Sequence, residues 1–106
     1  MTSNIGHLLG TGLLDPAETA AVARRVTGPE LDSGFGLRTM GSAEGGYGPL
    51  TYHCGSVWPH DTAITINGLC RDGRVDLAGG LIDGLLAAGA RFAGRLPELY
   101  SGDPRA

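Results

Sequence analysis

The segment from Tyr52 to Asp61, YHCGSVWPHD, concentrates side chains that can do chemistry. It contains two of the chain's three histidines, its single tryptophan and one of its two cysteines. Such a stretch is compatible with a metal site, a nucleophile site or the floor of a ligand pocket. Residue types and spacing favour one of these three.

A metal site is disfavoured by the ligand spacing. His53 and His60 are seven residues apart across Gly55 and Pro59, and the chain has neither an HxxxH pair on a helix nor paired CxxC knuckles. A nucleophilic Cys54 is disfavoured as well, because adjacent residues rarely place a base against a thiol. We therefore expect no metal in this stretch.

A sugar pocket suits the stretch better. Sugars present flat apolar faces that stack on indole and phenol rings, and hydroxyl edges that pair with charged and imidazole groups. Tyr52 and Trp58 supply rings, and His53 and His60 supply imidazoles. Asp61, at a predicted helix start, can accept from two hydroxyls. The alternatives are a core anchor for Trp58, and ordinary helix-start residues for His60 and Asp61.

Two further polar residues lie in informative surroundings. Arg38, in GLRTM, is either a solvated loop charge or a polar arm that reaches into the same pocket. Glu98, in GRLPELYSG, has Leu96, Leu99 and Tyr100 around it, so it is either a surface acid or an acid in an apolar setting. An apolar setting would suit Glu98 to general acid or base work.

Three helices are predicted to position these residues. A capping-box spacing in DPAE, with proline at the first helical position, predicts a helix from about Pro16 to Val26. A second helix is predicted from Trp58 or Pro59 to Gly73, and a third from Arg74 to Ala90, joined so closely that they form an antiparallel pair. Residues 30–52 have no helical period, and their apolar and aromatic content indicates a packed loop.

The third predicted helix is apolar around much of its circumference. Four residues recur at helical spacing and four more widen the apolar face: Leu77, Leu81, Leu85 and Ala88, then Val75, Ala78, Ile82 and Leu86. A helix of this kind is buried on several sides, which three helices and a loop do not provide. The chain is therefore expected either to oligomerise or to be a piece of a larger helical domain.

Composition bounds the class of protein. A chain of 106 residues forms one small domain, and its 19 glycines predict many turns. A net charge of −3 with eight scattered basic residues gives no basic stripe for phosphates, so nucleic acid is not an expected partner. The longest apolar stretch is too short to span a bilayer and no signal peptide is evident, which predicts a soluble, cytoplasmic protein without a membrane partner. Cys54 and Cys70 are expected to be buried thiols.

Four motifs occur in order along the chain, namely SNIGHLL, DSGFGLRTM, YHCGSVWPHDTA and GRLPELYSG. They resemble the C-terminal catalytic part of bacterial glycogen-debranching-type amylo-alpha-1,6-glucosidases, which are six-hairpin glycoside hydrolases with an (α/α)6 barrel. The resemblance covers nearly the whole chain, and GSVWPHD followed by LPELY is its specific part. It implies an all-α fold in which residues 1–106 form a partial (α/α)6 barrel, with a few late helices and long inner loops.

The resemblance also implies roles for individual residues. Glu98 resembles the general base that activates water in an inverting hydrolysis. Six residues resemble those that hold or contact the sugar nearest the reaction: Trp58, His60, Asp61, Arg38, Tyr52 and His53. The loop of residues 30–52 would line the sugar funnel, the second helix would belong to the inner ring and the third to the outer ring.

The family's general acid lies upstream of the motifs present in this chain, so we expect a truncated or fragmentary form that is inactive alone. The implied substrate is an oligosaccharide or glucan, and neither a metal nor an organic cofactor is implied. An alternative from another class is a stand-alone small-ligand binding or oligomerising module without catalysis. In that case the exposed apolar surface would be a self-association interface.

Overall fold

The computed structural model describes residues 1–105, and it is mostly helical, as the sequence predicts. A short 3₁₀ helix, Ser3–Leu8, comes first, followed by α1 (Pro16–Val26), α2 (Pro59–Arg71) and α3 (Val75–Arg91). Among the described residues, strand pairing occurs only as isolated bridges, which include those that join Val57 to Arg38 and to Tyr100. The all-α class is therefore confirmed at this coarse level.

Helix α1 begins and ends at the predicted residues. The Glu18 amide donates to Asp15 Oδ1 at 2.7 Å, and the Asp15 amide donates to Glu18 Oε1 at 3.0 Å, so both halves of the capping box are formed. Ala23 and Val26, on the predicted inner face, are fully buried. Local sequence signals thus predict both ends of this helix and its buried face.

Helices α2 and α3 pack against each other, as expected of two helices joined by three residues. Gly73 in the connection has a φ of 75°, a left-handed conformation that glycine adopts without strain. Asp72, at the end of α2, accepts from the Gly10 amide at 2.7 Å. The helix pair is therefore also tied to the N-terminal segment.

The N-terminal 3₁₀ helix is an element that the sequence analysis did not predict. It packs against both α1 and α2. Glycines permit the close approach, because a Cβ atom at Gly6 would overlap with the Thr65 side chain and one at Gly68 would lie 2.5 Å from the Leu9 carbonyl oxygen. The N-terminal segment consequently lies directly on α2.

The loop between α1 and α2 is packed, as its apolar content predicts. Leu31, Leu37 and Val57 are fully buried. Side chains from the N-terminal segment, this loop and all three α-helices form the core cluster: Leu9, Ala23, Val26, Leu31, Leu37, Leu69, Ala78 and Leu81.

Helix α3 is buried on one side only. Leu81 and Ala88 are buried on the inner stripe, whereas Val75, Ile82 and Leu86 are 64%, 40% and 68% exposed. These three residues were predicted to widen the apolar face, and nothing within residues 1–105 covers them. We call them the outer face of α3.

Two expectations concerned the cellular compartment. Within residues 1–105, no helix has both the length and the apolar character needed to cross a membrane.

Cys54 is half-buried, but Cys70 is exposed, so the expectation of two buried thiols is wrong for Cys70. The reason is helical geometry, since the neighbouring Leu69 takes the buried position at this turn of α2.

Candidate functional site

One open cleft brings together four of the residues predicted to hold a sugar. Its volume is about 380 Å³, within the range of roughly 300–1,000 Å³ that small-ligand pockets occupy. Eight residues line it: Thr2, Ser3, Asn4, Thr39, His53, Trp58, His60 and Asp61. The YHCGSVWPHD stretch thus forms one wall, and the N-terminal segment supplies much of the rest.

The start of α2 places the polar end of this wall. Trp58 is the extended residue before the helix, Pro59 is its first residue, and Asp61 lies in the first turn. Amide groups of a first helical turn have no partner within the helix and carry a partial positive charge. The helix start therefore favours a carboxylate at this point of the cleft.

Three rings form a cluster beside the cleft. The Tyr52 ring meets those of His53 and Trp58 edge to face, with centroids 4.6 Å and 4.7 Å apart, while the His53 and Trp58 rings are 5.6 Å apart and nearly parallel at 14°. Trp58 Nε1 donates to the Tyr52 carbonyl at 2.9 Å, which orients the indole. Because Trp58 is only partly buried and lines the cleft, it is not a simple core anchor.

Asp61 is held by side chains of the 3₁₀ helix. Ser3 Oγ donates to Asp61 Oδ2, and His7 Nε2 lies 2.5 Å from Asp61 Oδ1. Neither Ser3 nor His7 was predicted to belong to the sugar site, although both belong to the SNIGHLL motif. The one sequence signal that could have indicated them is that SNIGHLL is among the four motifs that resemble the glycosidase family.

Glu98 does not line the cleft, but it joins the ring cluster through Tyr52. Tyr52 Oη donates to Glu98 Oε1 at 2.9 Å, and this hydrogen bond is the main reason that the pKa of the Tyr52 phenol is raised. Of the two environments considered for Glu98, the structure has the surface acid, because the side chain is exposed and so is the neighbouring Leu96.

Arg38 was predicted to lie either in solvent or in the cleft, and it lies in neither. It is 3% exposed, and it is not among the residues that line the cleft. Its Nε donates to the Gly102 carbonyl at 2.6 Å, and its Nη1 donates to the carbonyls of Pro29 and Glu30 at 2.8 Å and 3.0 Å. Arg38 therefore joins the long loop to the C-terminal segment.

Asp32 is a partly buried carboxylate close to Arg38, and its pKa responds to this environment. Burial raises the pKa of Asp32, and the opposing effects of a hydrogen bond from the Gly34 amide and of the Arg38 charge are smaller. The positive charge of Arg38 thus has an acidic neighbour, but one that burial makes harder to ionise. Both residues lie outside the cleft.

Comparison with known proteins gives no further assignment, since no family model and no curated protein sequence matches the chain. Among residues 1–105, no group of three or more His, Cys, Asp or Glu side chains is arranged to hold a metal ion. The functional class therefore rests on the motifs and on the geometry of the cleft.

Proposed function

We propose that the chain is part of a glycoside hydrolase of the glycogen-debranching amylo-alpha-1,6-glucosidase type and that its cleft binds an α-linked glucan. The observation that carries the proposal is the convergence of the Trp58 indole, the His53 and His60 imidazoles and the Asp61 carboxylate in one cleft. An indole face matches the apolar side of a sugar ring, and the polar groups match its hydroxyls.

The outer face of α3 supports the barrel part of the proposal. An apolar stripe of this kind on a helix is normally covered by another element. In an (α/α)6 barrel, α2 would belong to the inner ring and α3 to the outer ring, so a neighbouring outer helix would cover Val75, Ile82 and Leu86. The same exposed face is what favours the alternative, an oligomerising small-ligand module, in which a second copy covers it.

Glu98 is the general base in this proposal. In an inverting hydrolysis, a carboxylate accepts a proton from the water that attacks the sugar, while a separate acid protonates the leaving oxygen. Glu98 already accepts a hydrogen bond from Tyr52 beside the ring cluster. The motifs present in this chain do not include the family's general acid, so the chain by itself is expected to bind a glucan without cleaving it.

Titration calorimetry with a maltooligosaccharide tests the proposal. Trp58→Ala is expected to raise Kd about 10-fold, because a stacked ring contributes on the order of 1.4 kcal/mol. Glu98→Gln is expected to change Kd less than about 2-fold, since a general base contacts the water rather than the sugar. Leu13→Ala serves as the control, because Leu13 is 77% exposed and does not line the cleft.

Two results would contradict the sugar site. One is the absence of binding by the wild-type chain to any maltooligosaccharide. The other is binding that Trp58→Ala leaves at the wild-type Kd, because the cleft would then not be the binding site.

A further inference from the structure

The Asp61 carboxylate has a partner on each of its two oxygens, and both partners come from the N-terminal 3₁₀ helix. Ser3 Oγ donates to Oδ2, and His7 Nε2 contacts Oδ1 at 2.5 Å. Among residues 1–105, the His7 ring is the only group able to carry a positive charge that lies within 4.0 Å of this carboxylate. Asp61 is thus fixed from outside its own helix.

We propose that His7 is a positioning residue, which together with Ser3 holds the Asp61 carboxylate in the orientation that accepts hydroxyl groups of a bound sugar. The identity of the ligand rests on the proposed function above. The contact between His7 and Asp61 is a property of the free chain and can be tested without a ligand.

The acceptor capacity of Asp61 leaves room for a ligand. An ionised carboxylate offers about four lone-pair sites. Ser3 and His7 occupy one on each oxygen, so each oxygen keeps a site for a hydroxyl in the cleft. Because Asp61 is an acceptor, Nε2 of His7 must carry the proton in this contact.

The physical advantage is that the carboxylate is ordered before a ligand arrives. The partial charge at the start of α2 favours an anion but does not select a side-chain rotamer. Two hydrogen bonds from a different element do select one, which lowers the ordering cost of binding. His7 itself is exposed, so its loss is expected to affect affinity more than folding.

The first measurement is nitrogen-15 NMR of the imidazoles in the free chain. The wild-type chain is expected to show His7 in the Nε2–H form with slowed exchange of that proton, and Asp61→Ala is expected to lose this signature. The Nδ1–H form of His7 in the wild-type chain would overturn the proposal.

The second measurement is the Kd of a maltooligosaccharide for a matched set of variants. His7→Leu removes the donor and is expected to weaken binding about 10-fold, while His7→Gln retains an N–H donor and is expected to stay within about 3-fold of wild type. Leu8→Ala is the control, because Leu8 lies on the same 3₁₀ helix, is exposed and does not line the cleft.

The outcomes separate this inference from the proposed function. Wild-type affinity in His7→Leu would overturn the role of His7 and leave the sugar site intact. A wild-type chain that shows the Nε2–H signature but binds no maltooligosaccharide would overturn the sugar site. It would also overturn the proposal that the contact between His7 and Asp61 orients the carboxylate for a sugar.

Discussion

Tyr100 anchors the segment of chain that carries the proposed general base, Glu98. Its backbone exchanges two hydrogen bonds with Val57, at 2.8 Å and 3.0 Å, and its hydroxyl donates to the Phe35 carbonyl. Burial raises the pKa of the Tyr100 phenol to about 12. Since Glu98 is exposed and lies two residues earlier in the chain, its location depends on this anchor.

Tyr100→Phe is expected to lower the free energy of unfolding by about 1 kcal/mol at neutral pH, because a hydrogen bond is lost. The folded-state pKa of about 12 exceeds the ordinary value of 10.0, so the phenol's contribution is fully present below pH 10 and is lost as pH rises towards 12. Urea unfolding between pH 7 and pH 11 should show the gap between wild type and variant narrowing above pH 10. A gap that widens with pH would contradict this assignment.

At the scale of elements, the packing of the 3₁₀ helix on α2 determines whether the cleft exists. This contact brings Ser3 and His7 to Asp61, and it relies on Gly68, where a Cβ atom would meet the Leu9 carbonyl oxygen at 2.5 Å. Gly79 in α3 offers a comparison, because a Cβ atom there would meet nothing within 4 Å.

Alanine substitutions at these two glycines should therefore have opposite effects on stability. Gly79→Ala is expected to raise the free energy of unfolding by up to about 1 kcal/mol through helix propensity. Gly68→Ala gains the same helix propensity, but it is expected to lower the free energy of unfolding by roughly 1–2 kcal/mol net. The reason is that the added Cβ atom would overlap with the Leu9 backbone and force that segment away. Urea unfolding measures both, and calorimetry should show weaker glucan binding only for Gly68→Ala. Equal stabilisation by both variants would mean that the 3₁₀ helix is not packed on α2.

At the scale of the whole molecule, the outer face of α3 is an apolar surface that remains in contact with water. Val75, Ile82 and Leu86 remain exposed, although Leu81 and Ala88 of the same helix are buried. A barrel neighbour or a second copy would remove this surface from water, with a gain of about 25 cal/mol per Å² of apolar area.

Leu86→Lys is expected to reduce self-association of the isolated chain, because it places a charge in the outer face of α3. Light scattering over a range of protein concentrations measures this, and Leu13→Lys is the control, since Leu13 is 77% exposed on a different segment. Loss of an undefined, dye-binding aggregate would support the partial barrel, and loss of a defined, cooperatively unfolding oligomer would support the module. A wild-type chain that stays monomeric at every concentration would contradict both.

The sequence by itself determined the features that depend on neighbouring residues. The capping box, the prolines at helix starts and the helical spacing of apolar residues predicted all three α-helices to within about two residues. His53, Trp58, His60 and Asp61 reach one cleft because they lie within nine consecutive residues that enter α2.

Only the tertiary structure decided the contacts between distant segments. Ser3 and His7 are 58 and 54 residues from Asp61, and Tyr52 is 46 residues from Glu98, so no local pattern pairs them. Arg38 became a buried link between backbone segments rather than a cleft residue, because the carbonyl groups it binds converge only after the loop packs. Helical periodicity is a property of the local sequence of each segment, whereas the partners of a side chain depend on how the segments pack together.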